Sequence, residues 1–191
     1  ILWDEKTGSY FSAVGTPEIL PADQMFNKAI TLTKQNDLYE PTLHANIFAL
    51  DRGIVPPDRR AQVLDAMLKL TPEKISGSLM VYYYVMKQMY AMDRPDLDAR
   101  VLDMFRHGWK AMVASPWQCS WEDLEVIKGE SKAHIYGMFP GYFLSAHVLG
   151  IRRDTPASNR QLVIEPHLGD LLEADGVVVT EFGPVPVSWK K

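Results

Sequence analysis

The residues best suited to chemistry sit close together in the chain. Between helices that read as apolar it runs Ser115-Pro116-Trp117-Gln118-Cys119-Ser120-Trp121-Glu122-Asp123-Leu124-Glu125-Val126-Ile127-Lys128-Gly129-Glu130-Ser131-Lys132-Ala133-His134. Two tryptophans, four acids and a histidine fall in this one connection. Aromatic rings offer flat apolar faces to sugar C–H groups, and neighbouring carboxylates supply the acid or base that breaks a glycosidic bond. Rim packing suits Trp117 and Trp121 equally well, and a solvated loop face suits Glu125 and Glu130. Cys119 is the single cysteine, so an internal disulfide is excluded and a cysteine-based zinc site is disfavoured. It reads as a small packing residue.

The elements that must position this loop are mostly helices. Thr7-Gly8 reads as a turn before a short extended piece, and Pro17 and Pro21 punctuate the next stretch. A helix is expected over residues 22–35, with Phe26, Ile30 and Leu32 on its apolar stripe. A second follows Pro41 and runs to Asp51, with Leu43, Ile47 and Leu50 at helical spacing and Gly53 as its stop. Pro56-Pro57-Asp58 opens a third, with Ala61, Leu64, Met67 and Leu68 on one face and Thr71-Pro72 as its close. Residues 78–92 are apolar nearly all round, the pattern of a helix buried on most sides. A fifth begins after Pro95, with Asp96 and Asp98 at its N-terminal dipole, and carries Leu97, Val101, Phe105, Trp109 and Met112. A sixth starts near Pro140 and ends at Gly150, a C-cap residue.

After Gly150 the pattern changes. Residues 154–159 read as loop, 162–165 as a strand, and 176–182 and 185–189 as two more around Gly183-Pro184. Val185, Val187 and Trp189 alternate with Pro186 and Ser188, the period of a half-buried strand. The fold class is therefore mainly α: helices in antiparallel hairpins over residues 1–150, then a small β appendage over 151–191.

Composition excludes several functions. The 191 residues are 47% hydrophobic and 23% charged, ordinary globular usage rather than that of a disordered chain. The net charge of −4 comes without a basic patch, which argues against nucleic acid and anionic membranes as partners. No apolar run approaches the roughly 20 residues that span a bilayer.

Several segments, in order, resemble the C-terminal part of glycoside hydrolase family 78, the α-L-rhamnosidases of the six-hairpin glycosidase superfamily. They are Trp121-Glu122, Ser131-Lys132-Ala133-His134, Phe139-Pro140-Gly141-Tyr142-Phe143-Leu144 and Val148-Leu149-Gly150-Ile151-Arg152. Ile164-Glu165-Pro166-His167-Leu168-Gly169-Asp170-Leu171, Ala174-Asp175-Gly176-Val177-Val178-Val179-Thr180 and Gly183-Pro184-Val185-Pro186-Val187-Ser188-Trp189 are similar to that family's closing β-sandwich. Leu43-His44-Ala45-Asn46-Ile47-Phe48-Ala49-Leu50 with Gly53-Ile54-Val55 resembles an earlier helix of the same catalytic domain.

The resemblance implies a partial (α/α)6 toroid and an inverting hydrolysis of terminal α-L-rhamnosyl bonds. In such a reaction one carboxylic acid protonates the leaving oxygen and a second carboxylate activates water, the two sitting about 6.5–9.5 Å apart. It implies Glu122 as the general base. The family reads Thr-Thr-x-Trp-Glu here, whereas this chain has Gln118-Cys119-Ser120-Trp121-Glu122, an incomplete hydroxyl pair. It implies His134 as a sugar contact, since a neutral imidazole both donates and accepts; a His bonding backbone at a helix start is the other reading. The family's Trp-Ser-Ala-type turn is replaced by Ile135-Tyr136-Gly137. Trp121 and Trp117 would stack on the sugar, and Glu125 and Glu130 are the alternative carboxylates. His44 and Asn46 read as structural, and no metal or cofactor is called for.

A complete six-hairpin toroid needs twelve helices, and the chain offers six. No residue upstream of 41 looks like the family's acid loop. The chain opens Ile1-Leu2-Trp3-Asp4 without an initiator Met and reads as part of a larger catalytic domain. The expected partners are a carbohydrate substrate and either the N-terminal portion of the same protein or a second copy. Family members are often exported, but the chain shows no signal segment. Two alternatives stay open: a non-catalytic carbohydrate-binding or structural remnant, and a six-hairpin glycosidase for another sugar, such as an α-L-fucosidase or glucuronyl hydrolase.

Overall fold

The computed structural model of the protein describes residues 3–10, 43–70, 79–124, 131–153 and 161–191. The helix expected over 22–35, the Thr71-Pro72 stop, the alternative carboxylates Glu125 and Glu130, and the loop over 154–159 lie outside these residues. The described residues are mainly helical, with three two-stranded antiparallel ladders. No described helix is long and apolar enough to cross a membrane. The chain divides into two compact units, Ile1–Glu73 and Lys74–Lys191.

In the first unit, β1 (Trp3–Asp4) turns back through Thr7-Gly8 onto β2 (Ser9–Tyr10), pairing Trp3 with Tyr10. Helix α1 (Leu43–Asp51) is short, and its buried residues include Asn46, Ile47, Ala49 and Leu50. A 3-10 turn at Pro57–Arg59, with proline in its first positions, leads into α2 (Arg60–Leu70). The expected apolar face of α2 is observed, since Leu64, Met67 and Leu68 are buried, although Ala61 is exposed and Val63 takes a core place instead. Asn46 is a buried polar residue that ties the hairpin to α1. Its amide group donates to the Tyr10 carbonyl at 2.6 Å, and its side-chain oxygen accepts the Tyr10 N–H at 2.5 Å.

The second unit is built on α3 (Leu79–Tyr90) and α4 (Pro95–Gly108). As the all-round apolar pattern requires, Leu79, Val85, Met86 and Met89 of α3 are fully buried. Proline opens α4, and Asp96 and Asp98 occupy its first turn, where the helix dipole favours negative charge. The expected single helix through Met112 is interrupted. It stops at Gly108, Trp109 takes φ −89° and ψ −3°, and α5 (Lys110–Ala114) follows. Glycine costs helix stability at this point. The Trp109 indole N–H also donates to the Gly137 carbonyl at 2.8 Å, which fixes the residue where the helix breaks.

The last helical stretch also departs from a plain α-helix. A 3-10 turn at Ile135–Met138 runs into α6 (Phe139–Phe143), which widens to a π turn over Leu144–Val148. Gly150 follows with φ +77°, a conformation suited to a helix end. A Cβ there would lie 2.5 Å from backbone atoms of Glu165 and Pro166, so glycine also lets the segment just after β4 approach. The Phe143 ring is fully buried and lies 5.7 Å from Tyr90, nearly parallel to it. Burying a side chain of this size contributes about 1.5–3 kcal/mol.

Short strands β3 (Ile151–Arg152) and β4 (Val163–Ile164) pair antiparallel, and β3 has no counterpart in the sequence reading. The hairpin of β5 (Glu173–Thr180) and β6 (Gly183–Lys190) matches the alternating pattern, with Val185, Val187 and Trp189 more buried than their neighbours. The Trp189 indole N–H donates to the Leu149 carbonyl at 2.8 Å and pins the hairpin to the end of the π turn. Chain segments after residue 150 thus pack within the same compact unit as α3 to α6.

Candidate functional site

The loop between α5 and α6 folds back on itself so that residues 119–122 run beside 131–134. His134 N–H donates to the Ser120 carbonyl at 2.8 Å, and the Ser120 hydroxyl donates to the His134 carbonyl at 2.6 Å. Glu122 N–H donates to the Ser131 carbonyl at 2.9 Å. The Cys119 thiol donates to the Lys132 carbonyl. Ser120 therefore serves as a crosspiece of the loop.

Glu122 is half-buried, and one carboxylate oxygen accepts the Ser131 N–H at 3.3 Å. Backbone and side chain of Glu122 are thus held by the same residue, which restricts the carboxylate. Asp123, next in line, is buried, and its carboxylate caps the N–H of Leu124 at 2.6 Å. These two neighbouring acids have different work: one caps backbone, the other is partly open to solvent.

Trp117 is 60% exposed, with the Lys132 ammonium 4.3 Å from its ring centre. A ring held by a cation over one side keeps an aromatic surface at the rim. Trp121 is placed differently. It is 6% exposed, and its indole N–H is buried without a hydrogen-bond partner among the described residues. In this arrangement Trp121 packs under the loop, while Trp117 is the ring available to a ligand.

His134 is half-buried and caps the 3-10 turn, its Nδ1 accepting the Tyr136 N–H at 3.2 Å. With Nδ1 used as an acceptor, the neutral ring carries its proton on Nε2, a donor for a hydroxyl. The backbone-bonding reading of His134 is thereby observed. The ring also lies 4.3 Å from Tyr136.

Beside the loop lies a mostly apolar cavity of about 300 Å³ lined by Trp109, Met112, Val113, Gln118, Cys119, Ser120 and Gly137. Glu122, His134, Trp117 and Trp121 are not among its lining residues. The sequence assigned Trp109 and Met112 to a helix face; both line this cavity. Gly137 is decisive for the geometry, because a Cβ on it would lie 2.7 Å from the Trp121 carbonyl oxygen and 2.8 Å from Ser120 Cβ. Only a residue without a side chain lets the 3-10 turn press against the segment that carries Glu122. A glycine in an Ile-Tyr-Gly-Met turn was the available signal.

The strongest electrostatic perturbations lie elsewhere. His167 hydrogen-bonds Asp98 at 3.1 Å, and both are buried. That bond raises the His167 pKa above its usual value, against the opposing effect of burial. Burial, then the Asp98 charge, raises the Tyr90 hydroxyl above the ordinary phenol range. Arg152 holds the Glu165 carboxyl below the usual range. These groups join α3, α4 and the residues before β5. Among the described residues no group of three or more His, Cys, Asp or Glu could hold a metal ion. No protein-family model matches the chain, and no curated protein matches it.

Proposed function

We propose that the chain supplies the general-base side of an inverting glycoside hydrolase site, in the manner of the α-L-rhamnosidases of glycoside hydrolase family 78. In this reading Glu122 takes a proton from the attacking water, Trp117 stacks on the sugar, and His134 donates through Nε2 to a ring hydroxyl. Trp121 supports Glu122 from beneath. The helical hairpins α1–α2 and α3–α4 belong to an (α/α)6 toroid whose remaining hairpins carry the general acid. The substrate is a terminal α-L-rhamnosyl or related deoxysugar residue.

The observation that supports the reading is the way one short paired loop presents three groups. Ser131 restrains the Glu122 carboxylate, the adjacent Lys132 lies over the exposed Trp117 ring, and His134 closes the pairing with Ser120. A carboxylate that must deprotonate water has to be fixed yet wet, and Glu122 meets both conditions.

The test has two arms. Glu122→Gln in the protein that unites this chain with the acid side should lower kcat for an aryl α-L-rhamnoside by at least about a hundredfold, the lower end of general-base contributions. An unchanged rate overturns the base role. In the 191-residue chain alone, titration with L-rhamnose should perturb tryptophan fluorescence, and Trp117→Ala should abolish that response. A response that survives in Trp117→Ala removes Trp117 from the site.

A further inference from the structure

Residues 161–191 carry β4, β5 and β6, yet only two of their side chains are buried, His167 and Val178. Apolar burial is the main force that holds a segment to a core, and one valine supplies little of it. Polar ties add to it. Arg106 and Asp170 pair at 2.7 Å, but both are exposed, where solvent screening leaves a pair little weight. The Trp189 indole N–H donates to the Leu149 carbonyl, Glu165 N–H to the Gly150 carbonyl and His167 N–H to the His147 carbonyl, each at 2.8 Å. The His167–Asp98 pair differs from the Arg106–Asp170 pair because both of its side chains are buried.

Groups from four other elements face the His167 ring. Asp98 of α4 bonds its Nδ1 at 3.1 Å, the Tyr90 ring of α3 meets it edge-on at 5.4 Å, and the His147 ring of the π turn lies 5.9 Å away. Arg152 of β3 acts on it as a charge, as does Glu165, whose carboxylate is 4.0 Å from its Nε2. Burial keeps the Tyr90 hydroxyl neutral beyond the range in which histidine titrates. Arg152 and Arg106 hold the carboxyls of Glu165 and Asp170 below the usual range, so both stay charged. Histidine is the residue type left to change charge near neutral pH. While His167 is protonated, its charge offsets the buried Asp98 carboxylate. A neutral His167 keeps a hydrogen bond but leaves that charge uncompensated, which is costly in a buried place.

We propose that the His167–Asp98 pair is a proton-operated latch: when His167 is neutral, residues 165–191 come away from α3 and α4 while those helices stay folded. Linkage requires stability to fall as His167 loses its proton, but it does not say which part of the chain lets go. The distribution of burial does. Leu79, Val85, Met86 and Met89 of α3 are fully buried, whereas the C-terminal segment buries one apolar side chain and the histidine itself. Regions with few buried apolar contacts open first. The latch is closed at mildly acidic pH and opens as pH rises.

The test is hydrogen exchange by NMR on the full chain at mildly acidic and alkaline pH, with intrinsic exchange rates divided out. The reporters are the Glu165 and His167 amides and the Trp189 indole N–H, because their acceptors lie outside the segment that leaves. Their protection should fall several-fold between the two conditions, while the α3 amides keep theirs. In Asp98→Asn it should be low at both, with the pH dependence gone. Unchanged protection of the reporters in the wild type overturns the proposal. A parallel loss in α3 also overturns it, because the release is then global. A pH dependence that survives Asp98→Asn assigns the effect to another group, His147 foremost, and overturns it too. Should Asp98→Asn not fold, His167→Gln, which keeps a neutral donor but takes up no proton, must give the low protection at both conditions; a remaining pH dependence there overturns the latch.

Discussion

His167 and Asp98 form a buried pair across 69 residues of sequence, with Nδ1 3.1 Å from the carboxylate oxygen. The histidine comes from the Ile-Glu-Pro-His segment before β5, and the aspartate from the first turn of α4. Arg106 and Asp170 add a second, exposed tie between the same two parts, at 2.7 Å. Gly169 sits between them, so close to Ala99 that a Cβ would come within 2.8 Å of its backbone nitrogen. This pairing, rather than the hairpin alone, seats the C-terminal strands on the helices.

The pair makes stability depend on pH in a stated direction. Its hydrogen bond to Asp98 raises the pKa of His167 in the folded chain above the unfolded value. The contribution is therefore complete below the unfolded pKa, near 6.5, and is lost as pH rises through the folded value. Tyr90 and His147 pack around the ring, and beside the dominant Asp98 bond the Glu165 charge raises and the Arg152 charge lowers its pKa. Asp98→Asn should return the His167 titration, followed by NMR, toward 6.5 and flatten the change in unfolding temperature between mildly acidic and alkaline pH. An unshifted titration in Asp98→Asn contradicts the assignment. Leaving Asp98 buried without its partner, as in His167→Leu, should cost about 3–5 kcal/mol.

Gly137 is predicted to be intolerant of any side chain. Alanine there must displace the Trp121 carbonyl, a backbone atom with little freedom to move. Overpacking of this kind costs about 1–3 kcal/mol. Urea unfolding of Gly137→Ala should show that loss. On the functional reading above, kcat should fall more than stability does, because the displaced segment carries Glu122. Full stability with full activity would show that the loop relaxes around the methyl group.

Asn46 should be equally sensitive in the first unit. It is fully buried and satisfies both the N–H and the C=O of Tyr10. Asn46→Ala leaves both groups unpaired, and each buried unsatisfied group costs about 1–3 kcal/mol. Asn46→Asp keeps the acceptor and loses the donor, so it should be intermediate unless the carboxylate is forced against the Tyr10 carbonyl. Hydrogen exchange at Tyr10 distinguishes the two substitutions, since its protection should fall in Asn46→Ala and persist in Asn46→Asp.

Much of the local structure was legible in the sequence. Apolar spacing located α1, α2 and α3, proline marked the 3-10 turn that leads into α2 and the start of α4, and alternation gave the inward face of β6, whereas the hairpin turn falls at residues 181–182 rather than at Gly183-Pro184, which open β6. These features follow from periodicity and backbone restriction, which act within a few residues. Gly108 marked a weak point in the helix, but the hydrogen bond that holds Trp109 there, to Gly137 far along the chain, was not legible. Asn46 read as structural, as it is, but its partner Tyr10 had no local mark. The candidate site divides the same way. Its residue types drew attention to Trp117, Trp121, Glu122 and His134, but nothing in the spelling distinguishes an exposed indole from a buried one.

The sequence by itself determined where most of the described helices and the β6 strand form and which loop concentrates acids, aromatic rings and a histidine. Those properties belong to short stretches, where side-chain size, charge and backbone freedom decide the outcome. The tertiary structure alone decided that Trp117 faces solvent while Trp121 is buried, that His134 Nδ1 accepts the Tyr136 N–H, and that His167 meets Asp98. Each of these depends on which distant segments come into contact, and a contact between distant segments leaves no periodic trace in either one.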